Sequence, residues 1–185
     1  METYAFNHEE LILIDPEFEL IYQERFPVMQ VPMDKEEGAS LRDGSVLRLI
    51  QNDDGLLEEA FLEKDGQRHG QSVLYYPNGR IKMEVYYNKD KLHGPSVFYQ
   101  ESGSILSKGW YINGKQQGKS WWYYPSGALC SLQRFMDGVW HGNQEYYYEN
   151  GLPRTLVHYT HGKLDGTSRL YAVDGRLERE IVYSL

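Results

Sequence analysis

The sequence predicts an all-β fold, an elongated antiparallel meander of 24-residue β-hairpin repeats behind a non-repeat N-terminal cap. Three observations carry this expectation. Gly70, Gly94, Gly118, Gly142 and Gly166 stand 24 residues apart. Gly79, Gly103, Gly127, Gly151 and Gly175 keep the same period nine residues later. Tyrosines recur in step at Tyr75, Tyr99, Tyr123, Tyr147 and Tyr171, and a second aromatic series runs through Tyr87, Tyr111, Phe135, Tyr159 and Tyr183. A fixed period of this length marks a chain built from stacked supersecondary units.

The chain opens with a segment of different character. Residues 1–40 hold ten acids and two bases, which accounts for the whole net charge of -8. Residues 41–185 then carry 17 of each sign. Within the opening, Leu11 to Ile14 before Asp15-Pro16 reads as a short apolar strand and turn, and Phe18, Leu20 and Tyr22 alternate with other residues. Residues 1–42 are assigned as an acidic cap over the first sheet edge and part of the apolar face, because an open edge templates aggregation. Docking of a basic partner is the alternative for this segment.

The repeat domain is assigned to 43–185, with a degenerate copy at 43–68 and regular copies over 69–185. Gly44 and Gly55 mark the degenerate copy, which is expected to carry two extra residues in its turn. In the first regular copy, Ser72 to Tyr76 and Ile81 to Tyr87 are rich in β-branched and aromatic residues. Asn78-Gly79 between them is hairpin-turn chemistry, with Pro77 and Arg80 expected to flank a two-residue turn. Asn113-Gly114 and its equivalents connect one hairpin to the next. These links are too short for helical crossovers, so neighbouring strands are antiparallel. The ten glycines from Gly70 to Gly175 in the two main series are assigned as structural turn positions.

Alternation from the Asn78-Gly79 turn places Leu74, Ile81, Val85 and Tyr87 on one face, expected to be the buried, concave side. The other face is expected to be variable. It carries Val73, Tyr86, Trp110, Trp121, Arg134 and the ladder from Tyr75 to Tyr171. Trp110 and Trp121 fall in columns that hold Arg134, His158, Glu145 and Arg169 in later copies. They are the first candidates for partner anchors, with Tyr75, Tyr99, Tyr123 and Tyr147 beside them as an aromatic platform.

The segments Asn113-Gly114-Lys115-Gln116-Gln117-Gly118, Asp137 to Gly142 and His161 to Gly166, with the Tyr-Tyr-Pro turns at 75–79 and 123–127, resemble the MORN repeat in its bacterial variant form. The resemblance covers 69–185 clearly and 43–68 weakly. It implies a scaffold or protein-interaction module. It also implies membrane association in some members, and some bacterial variants carry an antitoxin label.

Signs of chemistry are sparse. Gly114 to Ser120 is one residue short of a phosphate loop, and no helix follows it. His69, His93 and His141 each precede a repeat glycine and are read as turn residues rather than ligands. Cys130 is the one cysteine, so no internal disulfide forms and a reducing, cytoplasmic setting is expected. No cofactor or metal is implied, and the chain is expected to be a non-enzyme. The partner is expected to be another protein. No basic cluster is present for nucleic acid, and net acidity disfavours an anionic membrane surface.

Overall fold

The structure is a computed structural model that describes residues 11–15, 17–24, 31–32 and 36–184. Among them every regular element is a strand. β1 (Leu11–Asp15) and β2 (Glu19–Glu24) form a separate hairpin. β3 (Val46–Gln51), β4 (Leu57–Lys64), β5 (Gln67–Tyr75), β6 (Ile81–Asn88), β7 (Lys91–Tyr99) and β8 (Ile105–Ile112) begin a second sheet. It continues through β9 (Lys115–Gln116), β10 (Gly118–Tyr123), β11 (Leu129–Met136), β12 (Val139–Trp140) and β13 (Gly142–Tyr147). β14 (Pro153–Thr160), β15 (Lys163–Leu164), β16 (Gly166–Tyr171) and β17 (Leu177–Tyr183) complete it. The sheet has 15 strands in an open meander from β3 to β17.

Two turn types alternate. Asp65-Gly66, Lys89-Asp90, Asn113-Gly114, Asp137-Gly138 and His161-Gly162 have positive φ at both residues. This is the turn whose twist matches a two-residue hairpin. The other loop is longer than the sequence reading placed it. Tyr76 N donates to Arg80 O and Gly79 N to Tyr76 O, so Pro77, Asn78 and Gly79 all lie in the loop. Gly79 takes φ 80, closing a type I turn with a left-handed residue.

That extra loop residue is offset by a bulge. Tyr75 pairs Ile81 and Leu74 pairs Met83, leaving Lys82 as the extra residue of its strand. Leu106, Cys130, Arg154 and Glu178 take the same place in later copies. Ile81 therefore sits opposite Tyr75 and leaves the face to which simple alternation assigns it. Beyond the bulge the register agrees with the alternation. In the degenerate copy Val46 pairs Glu63 as Gly70 pairs Tyr87. Val46 thus holds the glycine position, Gly44 belongs to the preceding loop, and the two expected extra residues are absent.

Gly79, Gly103, Gly127, Gly151 and Gly175 lie in loops, but Gly70 and Gly94 lie inside β5 and β7, and Gly118, Gly142 and Gly166 open β10, β13 and β16. This corrects their assignment as turn residues. Their positive φ kinks the strand just beyond the two-residue turn.

Cross-strand pairs define the faces. The front face carries the row Val73, Glu84, Val97, Lys108, Trp121, Leu132, Glu145, Leu156, Arg169 and Glu180. Beside it run Gln71, Tyr86, Pro95, Trp110, Lys119 and Arg134. The back face carries Leu74, Met83, Phe98 and Trp122 flanking a row that includes Ser72, Val85 and Ser96. The back face is not a closed core: Val85 and the serines are buried, while Trp122 is 41% exposed. The hydrophobic core instead lies on the front face, in Leu47, Ala60, Leu62, Val73, Tyr86 and Trp110, under Leu13 and Val31. The two faces are thus inverted, in the first half of the sheet, relative to the sequence expectation.

Candidate functional site

The front face is built in two parts, and the N-terminal hairpin divides them. Leu13 is fully buried against Tyr86 and Trp110, with Ile21, Tyr22 and Ile112 packed around them. Tyr22 meets the ring of the buried His93 edge-on, with centroids 5.1 Å apart. Val31 N donates to Gln71 Oε1 at 2.8 Å, anchoring the chain beyond the hairpin. Trp110 is 3% exposed, so its role as a partner anchor is corrected: it is a core residue held under the chain's own cover.

The tip of the hairpin is acidic, and the sheet beneath it presents two cations from one cross-strand pair, Lys119 and Arg134. Lys119 Nζ lies 3.5 Å from Asp15 and 3.8 Å from Glu17. Arg134 Nε lies 2.5 Å from Glu17, and its Nη1 lies 2.8 Å from Glu145. Burial would lower the Arg134 pKa, but hydrogen bonds to Glu145 and Glu17 outweigh it and raise the pKa. Ions buried in this way are tolerated because each meets an opposite charge. Part of the acidic segment therefore neutralises cations of its own chain; the acids before residue 11 lie outside the described residues.

Trp121 shares the front face with Trp110 but is only half-buried, with Lys108 Nζ 4.9 Å from its ring centroid. The pair is therefore one core residue and one surface residue. The tyrosine ladder also lies on this face. Tyr99 OH donates to Glu84, and Tyr147 OH donates to Glu145. Burial and those carboxylates push both phenols up to about 12. Tyr75 packs against the Val73 cluster, and Tyr123 is half-buried. These tyrosines are stitched into the sheet rather than splayed as a free platform.

Cover gives way to open surface at Phe18. A depression of about 410 Å³ there is lined by Phe18, Met136, His141, Asn143 and His158. A second, about 310 Å³, adjoins it at Asn143 and is lined by Glu145, Leu156, Val157, Thr167 and Arg169. His158 Nδ1 is 2.9 Å from Asn143 Oδ1, and His141 lies between Phe18, whose ring is tilted against it, and His161, which it meets edge-on. Burial, then the neighbouring His161 and His158, lower the His141 pKa. His69 lies in β5, His93 in β7 and His141 between β12 and β13, so none is the turn residue expected of it. Among the described residues no three His, Cys, Asp or Glu side chains converge as a metal site. Gly114 to Ser120 runs through a turn and strands β9 and β10.

The second tyrosine of each Tyr-Tyr pair reaches the next repeat: Tyr76 OH donates to Tyr99 O at 2.7 Å, and Tyr124 and Tyr148 donate to Tyr147 O and Tyr171 O at 2.8 Å. The signal available in the sequence is that Tyr76, Tyr124 and Tyr148 share one position of the 24-residue repeat, with Gln100 in the copy between the first two.

The family described as MORN repeat variant matches residues 68–89 and 140–163. A solved structure similar to this chain is one described as the crystal structure of a GtfA/B complex bound to UDP and GlcNAc. It is 10% identical, with a TM-score of 0.25, and the match covers 98% of this chain. The chain spans about a third of that protein's length, the match covering 32% of it, and a likeness this weak carries no argument. No curated protein matches. No helix among the described residues is long and apolar enough to cross a membrane.

Proposed function

We infer, for a chain that carries repeats of the MORN variant, that this scaffold is a non-enzymatic protein-binding module. It holds its partner on the open second half of the front face. The observation behind this reading is the boundary at Phe18. Before it, the face is covered in cis by the N-terminal hairpin; beyond it, adjoining depressions continue along the same face past Leu156 to Arg169. A rigid sheet with mixed apolar and charged groups suits a protein partner, since such surfaces combine an apolar centre with a polar rim. The resemblance to bacterial MORN variants, some of which carry an antitoxin label, implies a narrower version, in which the partner is a toxin that the scaffold covers. Cys130, free and half-buried at a bulge, suits a reducing cytoplasm.

The test is affinity capture with the full chain and with Leu156→Glu combined with Arg169→Glu. Arg169 is exposed and Leu156 half-buried, and circular dichroism checks that the variant keeps its fold. Loss of a captured protein in the folded variant supports the reading. Retention of the same protein at equal yield contradicts it. A membrane-associated scaffold is the competing reading, and flotation of the chain with vesicles containing anionic lipid would favour it.

A further inference from the structure

We propose that the gap between the first two long loops is a receptor for one tyrosine side chain of a partner protein. The argument starts from a break in the repeat. Asn52 N donates to Leu56 O and Gly55 N to Asn52 O, the same pattern that Tyr76 makes with Arg80 and Gly79. Asn52 therefore occupies the place of Tyr76, one repeat earlier. In Tyr76, Tyr124 and Tyr148 a phenol leaves this place and donates to a carbonyl of the next hairpin at 2.7–2.8 Å. Asn52 is too short to do so. Its Oδ1 turns back to accept from Asp54 N and Leu56 N of its own loop.

The copy after Tyr76 has Gln100 in this place, and its Nε2 still reaches Tyr124 O at 3.4 Å; at Asn52 the space stays open. A depression of about 320 Å³ lies between the loops, and its lining includes Leu56, Leu57, Leu74 and Pro77 beside Asn52, Glu58 and Lys82. Its lining is mainly apolar, with Glu58 and Lys82 as the charged groups, and Leu56 is 47% exposed. The carbonyl that corresponds to Tyr99 O is that of Tyr75. A carbonyl oxygen has two lone pairs, so it can accept a phenol besides any partner it has. A mainly apolar slot with a placed acceptor favours a phenol: the ring gains burial, and the hydroxyl keeps a hydrogen bond that a phenyl group cannot make. Only the source of the tyrosine, a partner protein, rests on the protein-binding reading. The slot itself is defined by the repeat geometry and lies apart from the open front face.

N-acetyl-tyrosinamide titrated into the isotope-labelled full chain tests it by amide chemical shifts. Shifts at residues 52–58 and 74–77, saturating with a Kd of about 1–10 mM, are expected for one small side chain. N-acetyl-phenylalaninamide is expected to bind at least tenfold more weakly. Asn52→Tyr should fill the slot from within, abolish the shifts and raise the melting midpoint by about 2–4 °C, as one added hydrogen-bonded ring would. Leu56→Arg, which blocks the mouth from an exposed position, should abolish the shifts even where Asn52→Tyr folds poorly. Equal binding of the two amides, shifts elsewhere only, or binding that survives Leu56→Arg would overturn the proposal and leave the front-face reading standing.

Discussion

The ammonium of Lys119 lies 3.5 Å from the carboxylate of Asp15, with Asp15 fully buried, and this contact ties the N-terminal hairpin to the middle of the sheet. Removing one ion of such a pair leaves the other buried without its charge partner, which typically costs about 3–5 kcal/mol. Lys119→Met is therefore expected to lower the urea midpoint strongly. Adding Asp15→Asn should recover more than half of the loss, because the uncompensated charge goes with it. A double variant as unstable as Lys119→Met alone would show that the pair does not hold the hairpin.

The inverted faces give a second expectation. Trp110→Ala empties the cluster beneath Leu13 and should cost about 3–5 kcal/mol. Tyr111→Ala, half-buried on the other face, should cost less. Urea unfolding of both variants decides the order. A larger loss for Tyr111 would return the core to the back face.

Much of this architecture was legible in the sequence, and the misses have local causes. The glycine and tyrosine periods gave the hairpins, their antiparallel order and the tyrosine ladder's face. Asn78-Gly79 was read as a two-residue turn because that dipeptide is the strongest short hairpin signal, yet Pro77 enters the loop too. Lys82, as the bulge, cancels the shift, so Leu74, Val85 and Tyr87 do share one face as alternation from the turn predicts. Trp110 was misread because its burial depends on Leu13, far away in sequence. Periodicity within a repeat cannot report a cover supplied from outside the repeats. The slot at Asn52 escaped notice because Tyr76 was weighed as turn and strand chemistry, not as a bridge to the next hairpin.

Gly127 tests the loop geometry. Its φ is 87, and a Cβ there meets nothing within 4 Å, so any penalty comes from the backbone conformation alone. Gly127→Val is expected to cost more than about 1 kcal/mol, and Gly127→Asn less, since Asn tolerates the left-handed region. Equal melting midpoints for the two variants would mean that the loop relaxes to another turn.

A pH dependence follows from His141. Burial, then His161 and His158, lower its pKa below 6.5 in the folded chain, while Glu17 lines the same depression. The unfolded chain then binds the proton more readily. This contribution to stability is complete above pH 6.5 and is lost as pH falls through that value toward the folded pKa. His141→Gln should reduce the fall in melting midpoint within that window. A difference between wild type and variant that stays constant from pH 8 to pH 5 would contradict the assignment.

Covalent footprinting of side chains, read by mass spectrometry on the free chain and on the chain with its captured partner, tests the divided front face most directly. The account predicts that Trp110 resists labelling in both states. Leu156, Thr167 and Arg169 should label in the free chain and become protected in the complex. Labelling of Trp110 in the free chain, with protection when the partner binds, would contradict it: the N-terminal hairpin would then be no cover, and the tryptophan would be the anchor after all.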